Sequence, residues 1–210
     1  MYAYDKSYLE DSMANLGAML DYAVAQCGEP LELFWSRFLA SGAADQFSLR
    51  NPKYLAGMSG TEIAILVASK TGDSLPRKVA RIDIGSPEYW TGWTMAYLGW
   101  SLNMSFKQIE HAGLHITSLF NAYPTLHEAD LSRSVSFAKK QIEKSKRQIL
   151  KEARKNAGLS QKRLSEITGI PLRTIRAYEQ GQADIKKAGA VNLFSLCSAL
   201  GCSQECLIGG

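Results

Sequence analysis

At 210 residues, with 46% hydrophobic and 21% charged side chains, the chain has a globular composition and room for one large domain or two ordinary ones. No apolar run approaches the ~18 residues of a membrane span, and the start, MYAYDKSYLEDSM, carries acids where a secretory leader needs basic and apolar runs; a cytoplasmic location is expected. The net charge of +4 is local: residues 1–138 hold 10 Lys+Arg against 14 Asp+Glu, residues 139–187 hold 14 against 5, and residues 188–210 hold none against one.

The N-terminal part reads helical almost throughout. Ser7-x-x-Glu10 has the form of a capping box before Leu9, Met13, Leu16, Leu20 and Val24, with Gly28 as a stop, which predicts a helix over about 8–26. Pro30 opens a second helix through Phe34, Phe38 and Leu39. Asn51-Pro52 and Gly57 break the chain, and Ser59-x-x-Glu62 caps a third helix that runs to Gly72. Residues 73–86 are the least helical, interrupted by Asp73, Pro76 and Gly85, and a short extended segment or hairpin is expected there.

Ser86-Pro87-Glu88 starts a further helix by cap, first-turn proline and a carboxylate at the positive dipole end. Its stripe of Trp90, Trp93, Tyr97 and Trp100 suits core packing, and the alternative is a partner surface, since aromatics dominate binding hot spots. Ser105-x-x-Gln108 and Gly113 bracket a short helix, another runs from Ile116 to Ala122 ahead of Pro124, and Thr125-x-x-Glu128 forms a fourth capping box.

From about Leu131 the chain changes character. Val135, Ala138, Ile142, Ile149 and Ala153 mark a narrow apolar stripe on a very basic helix, and no Gly or Pro interrupts residues 128–157. The domain boundary is therefore expected on helix, with the first helix of the next domain starting near Lys146; a break around Ser145 is the alternative.

Residues 160–181, SQKRLSEITGIPLRTIRAYEQG, then hold two short helical patterns separated by a turn. Ser160 caps the first, with Leu164 and Ile167 inward, and Thr168-Gly169 supply the turn. Pro171 opens the second. At 100° per residue, Ile175, Tyr178 and Glu179 share an inward face, while Arg173, Ala177 and Gln180 lie opposite, flanked by Thr174 and Arg176. The outward set is what a DNA groove would meet. Arg173 has the planar fork that fits guanine O6 and N7, and Ala177 offers a methyl for thymine. Gln161, Lys162, Lys186 and Lys187 are placed to hold phosphates.

These residues resemble the phage-repressor-type (XRE/Cro-like) helix-turn-helix family, from about Ile149 to Ile208. The quoted elements are Gln161 one residue into the first helix, Leu164, the Gly169-Ile170 turn, Thr174-Ile175, and Tyr178-Glu179 closing on Gly181; VNLFSLCSALGCSQECLIG reads like the last two of the family's helices. Pro171 departs from the pattern, standing where the family usually has a Ser, Thr or Asp cap. The resemblance implies a five-helix DNA-binding domain, and a largely desolvated ion pair between the positions held here by Arg154 and Glu179. In the N-terminal part, NPKYLAGMSGTE, SPEYWTGW and YPTLHEAD look like segments of uncharacterised helical bacterial proteins that accompany candidate toxins.

Enzymatic chemistry has no comparable support. His111 and His115 have metal-compatible spacing, but Ala112 stands where HExxH needs its glutamate and Gly113 interrupts the helix. No GxGxxG, P-loop or nucleophile elbow is present. Cys27, Cys197, Cys202 and Cys206 form no CxxC pair and read as small core residues. No catalytic residue, metal site or cofactor is therefore assigned. The sequence predicts a mainly α protein, with a helical sensing or partner-binding domain over 1–138 and a helix-turn-helix domain over 139–210, residues 139–145 forming a helical connector. The expected function is sequence-specific regulation of transcription, as a repressor, on double-stranded DNA and as a homodimer. The alternative is an antitoxin whose N-terminal domain neutralises a toxin while the C-terminal domain represses its own operon.

Overall fold

The computed structural model describes residues 5–76 and 79–208, and no strand occurs among them. They form two compact units, one of residues 1–110 and 114–139 and one of residues 111–113 and 140–210.

In the first unit, helix α1 (Leu9–Leu20) continues into a π-helical turn, Asp21–Gln26. The Ser7–Glu10 capping box does not form: Ser7 lies within a 3-10 turn, and its N–H is bound at 2.8 Å by the Asp5 carboxylate, so the cap sits two residues earlier. Helices α2 (Leu31–Ala40) and α3 (Ala43–Ser48) follow, then a π-helical turn over Lys53–Gly57 and helix α4 (Gly60–Lys70). At the head of α4 both halves of the Ser59–Glu62 capping box are made.

Helix α5 (Pro87–Leu102) is the centre of this unit, because residues on almost every side of it are buried: Trp90, Thr91, Thr94, Met95, Ala96, Leu98 and Trp100. Trp90 and Trp100 are core residues, while Trp93 and Tyr97, the other two of the stripe, are half-buried. Sequence periodicity singled out the aromatics, but threonines and small residues fill the other faces of the same helix. A second aromatic cluster joins α2 and α3 to helix α6 (Phe106–His111): the rings of Trp35, Phe38, Phe47 and Phe106 lie 5.1–6.0 Å apart.

No hairpin forms in residues 79–86. The π-helical turn satisfies this backbone with side chains instead: Gln26 donates to the Arg81 carbonyl and accepts from the Arg81 N–H, both at 3.0 Å, and Tyr22 donates to the Pro76 carbonyl. Asp21, 1% exposed, accepts from Gln26 (2.6 Å), Ser86 (2.7 Å) and the Asp83 N–H (3.3 Å). Helix α6 carries the reciprocal Ser105–Gln108 box. Helix α7 (Ile116–Phe120) is followed by the short helix α8 (Tyr123–Leu126), which contains Pro124 in its first turn. The fourth capping box is absent, since Thr125 Oγ1 donates to the Ala122 carbonyl; Asp130 instead accepts the Ser132 N–H at the head of helix α9 (Leu131–Asn156). That helix runs without a break at Ser145, so no separate helix begins at Lys146.

The second unit contains the C-terminal part of α9, then α10 (Gln161–Thr168), α11 (Leu172–Gln180), a 3-10 turn at Ile185–Lys187, α12 (Ala190–Leu200) and α13 (Gln204–Ile208). Leu150, Leu164, Ile170, Ile175, Leu196, Leu200 and Leu207 form its core, with Cys197 among them. Ile167, expected inward, is 49% exposed. The left-handed Gly169 (φ 70) reverses the chain, and Ile170 enters the core after Leu164 instead.

Candidate nucleic-acid interface

Local capping chemistry sets the two-helix unit. Ser160 Oγ accepts the Arg163 N–H at 3.0 Å and starts α10. At the other end Thr168 Oγ1 donates to the Leu164 carbonyl (2.7 Å) and accepts the Ile170 N–H (3.3 Å), while Ser165 Oγ donates to the Ile170 carbonyl (2.6 Å). Four hydroxyl bonds thus hold the ends of α10, and the sequence signal for Ser165 and Thr168, hydroxyls four and one residues before a glycine, was too common to single out. Pro171 occupies the N-cap of α11 with no side-chain acceptor, and its carbonyl takes the Thr174 and Ile175 N–H groups.

Within α11, Ile175 is fully buried and Glu179 is 9% exposed, while Tyr178 is half-buried. Arg173, Arg176 and Gln180 are exposed, and Thr174 and Ala177 half-buried, so the five lie on the outer side of the helix. Among the described residues neither Arg173 nor Arg176 has a hydrogen-bond or ion-pair partner. Both guanidiniums keep their full donor forks.

The inner side of α11 is fixed by a charged cluster. Arg154 binds Glu179 bidentately, Nε to Oε1 at 2.6 Å and Nη2 to Oε2 at 3.2 Å, and its Nη1 donates to the Leu159 carbonyl at 2.7 Å. Gln161 Nε2 adds a bond to Glu179 Oε2 at 2.7 Å. The two charged side chains are 11% and 3% exposed. Burial alone would raise the Glu179 carboxyl; the hydrogen bonds from Arg154 and Gln161 and the charges of Arg154 and Lys151 outweigh it and hold the group below its ordinary value. The bond to Glu179 likewise raises the Arg154 guanidinium.

Gln161 therefore commits one of its amide hydrogens to Glu179 rather than standing free on the surface. Its backbone N–H is in the first turn of α10, where helix amides lack intrahelical partners. Lys162 is exposed on the same turn, and Lys186 and Lys187 are exposed in the 3-10 turn after α11, which Asp184 caps through the Lys186 N–H at 3.0 Å. The histidines show a different arrangement: His115 pairs with Glu110 at 2.7 Å, His127 stacks on Tyr123, and His111 is exposed.

Residues 150–203, about a quarter of the chain, match the family model described as Helix-turn-helix. No curated protein and no solved structure matches the chain. The matched span takes in the last turns of α9, the whole of α10 to α12 and the Arg154–Glu179 cluster. No helix among the described residues is long and apolar enough to cross a membrane. Residues 150–203 are thus a helix-turn-helix domain of the XRE/Cro-like type, a DNA-binding class of domain.

Proposed function

We propose that this protein is a repressor that lays α11 in the major groove of a specific operator, with a second copy of the chain on the neighbouring half-site. The observation that carries this reading is the outer face of α11, where Arg173, Arg176 and Gln180 stand exposed and both guanidiniums are unpaired among the described residues. Arg173 reads guanine through O6 and N7, Thr174, Arg176 and Gln180 flank it, and Ala177 admits a thymine methyl. Lys162, Lys186, Lys187 and the first-turn N–H of Gln161 hold phosphates and set the register. Arg173→Ala should cost about 1–3 kcal/mol on an operator selected from random DNA and relax preference at one base pair. Fluorescence anisotropy on selected and scrambled duplexes at one salt concentration checks this. Equal loss on both would remove Arg173 from base reading.

One helix-turn-helix reads few base pairs, and pairing two over half-sites a helical turn apart supplies the missing affinity. In the DNA-binding unit the most exposed large apolar side chains among the described residues are Val191 (78%) and Phe194 (69%), three residues apart on α12. A second copy of this unit would cover them. Phe194→Asp is expected to leave the unfolding free energy within about 0.5 kcal/mol of the parent, as for a surface site, and to abolish cooperative binding to a two-half-site duplex. Cooperativity equal to the parent's would rule out α12 as the seam. The antitoxin reading asks for a partner surface on the first unit, and the aromatic stripe that suggested one has Trp90 and Trp100 in the core. The repressor reading is therefore the better supported.

A further inference from the structure

Lys140, Lys144, Lys151 and Lys155 stand exposed on α9, and at 100° per residue they fall within about 60° of arc. Ile142 and Ile149 lie on the opposite side, buried and half-buried, so the basic stripe faces away from the apolar one. All four lysines belong to the second unit, and Lys140 and Lys144 lie ahead of the span that matches the helix-turn-helix family. We infer that this stripe is a second DNA contact, a sequence-independent face that holds phosphates of the duplex flanking the site read by α11.

The stripe is not neutralised within the protein. Among the described residues no hydrogen bond or ion pair engages any of the four ammonium groups, although Glu143 and Glu152 stand three positions from Lys140 and Lys155. Lys140 with Lys144, and Lys151 with Lys155, are spaced i, i+4, where like charges repel and weaken a helix. A polyanion laid along this face removes that repulsion, and each phosphate neutralised releases a condensed counterion from the DNA.

The stripe also continues from the DNA-reading part rather than standing apart from it. Lys151 lies close enough to α11 for its charge to help hold the Glu179 carboxyl down, and Arg154 ties α9 to the same carboxylate at 2.6 Å. From Lys151 back to Lys140 the helix rises about 16 Å, the axial length of roughly five base pairs. Duplex DNA suits this face better than a membrane surface: an interfacial helix sinks its apolar face into the bilayer, and here Ile142 and Leu150 of α9 are buried in the protein. The inference rests on the DNA-binding reading but uses none of the residues assigned above to bases or phosphates.

The test compares the full chain with Lys140→Gln/Lys144→Gln by fluorescence anisotropy over about 0.05–0.3 M KCl. Two duplexes serve, a selected operator and a scrambled sequence of equal length, each with one helical turn of flank on either side. The slope of log affinity against log salt should become shallower by about two per bound chain, with a loss of about tenfold or more near 0.15 M salt on both duplexes. Gln has nearly the helix propensity of Lys, so the circular dichroism melt should stay at the parent's. Lys140→Arg/Lys144→Arg keeps both charges and should restore the slope. Lys53→Gln/Lys70→Gln removes the same net charge from exposed positions of the first unit and should leave the slope unchanged. A parental slope in the Lys140→Gln/Lys144→Gln variant would overturn the inference and leave the role of α11 standing, whereas a parent that bound neither duplex would remove both. An equal fall in the Lys53→Gln/Lys70→Gln variant would reduce the effect to net charge and overturn it. So would unchanged duplex binding together with lost retention on phosphatidylglycerol vesicles, which would give the stripe to a membrane.

Discussion

Glu179→Ala is expected to destabilise the DNA-binding unit by roughly 3–5 kcal/mol, because it removes one partner of a buried ion pair and leaves the other charge without compensation. Arg154 would keep its bond to the Leu159 carbonyl but lose both bonds to the carboxylate, and Gln161 would lose its acceptor. Hydrogen exchange read on residues 172–180 of the full chain measures this directly. Replacing both members by apolar residues, Arg154→Met with Glu179→Leu, should be far milder, since no charge is then stranded. If the single variant is no less stable than the double, the charge argument fails. The sign of the pH dependence follows from the lowered Glu179 carboxyl. A group whose folded value is depressed stabilises the fold fully above its unfolded value, about 4.5, and loses that contribution as pH falls through the folded value. The parent's midpoint should therefore drop on acidification below about pH 4.5 more steeply than that of the apolar double variant.

This cluster also shows how far a sequence reaches. Caps with two matching halves were legible at Ser59–Glu62 and Ser105–Gln108, since the same local spacing that defines the motif is all it needs to form. The same pattern misled at Ser7 and Thr125, where a neighbouring aspartate or an upstream carbonyl offered the closer bond. The recognition helix was readable because α11 is amphipathic, with Ile175 and Glu179 inward and Arg173 outward. Helix α5 was less legible for the opposite reason: periodicity says nothing about which face is inward when all faces are. The Gln161 bond to Glu179 and the Trp35 bond to Glu110 were invisible because each joins residues from separate elements, 18 and 75 positions apart. The Arg154–Glu179 positions came from family resemblance, while their distances and burial are properties of the fold.

Gly92→Ala is expected to cost the first unit about 3 kcal/mol or more, at the upper end for overpacking a tight site. Alanine ordinarily favours a helix interior over glycine by roughly 1 kcal/mol, so propensity alone predicts the opposite sign. Packing decides otherwise. An added Cβ at Gly92 would collide with the Leu16 carbonyl and stand 2.9 Å from the Gly17 amide nitrogen, and a Cβ at Gly17 would stand 2.9 Å from the Tyr89 carbonyl. These are backbone atoms of α1 and α5, which no rotamer change can move aside, so the two helices must separate. Separation would open the contacts of Leu16, Met95 and Leu98, each fully buried in the parent. Three tryptophans of α5, Trp90, Trp93 and Trp100, make the change visible in intrinsic fluorescence. A red-shifted emission and a lowered urea midpoint are the expected results. An unchanged midpoint would mean that α1 slides along α5 at little cost, and that the glycines at this crossing are not what sets its spacing.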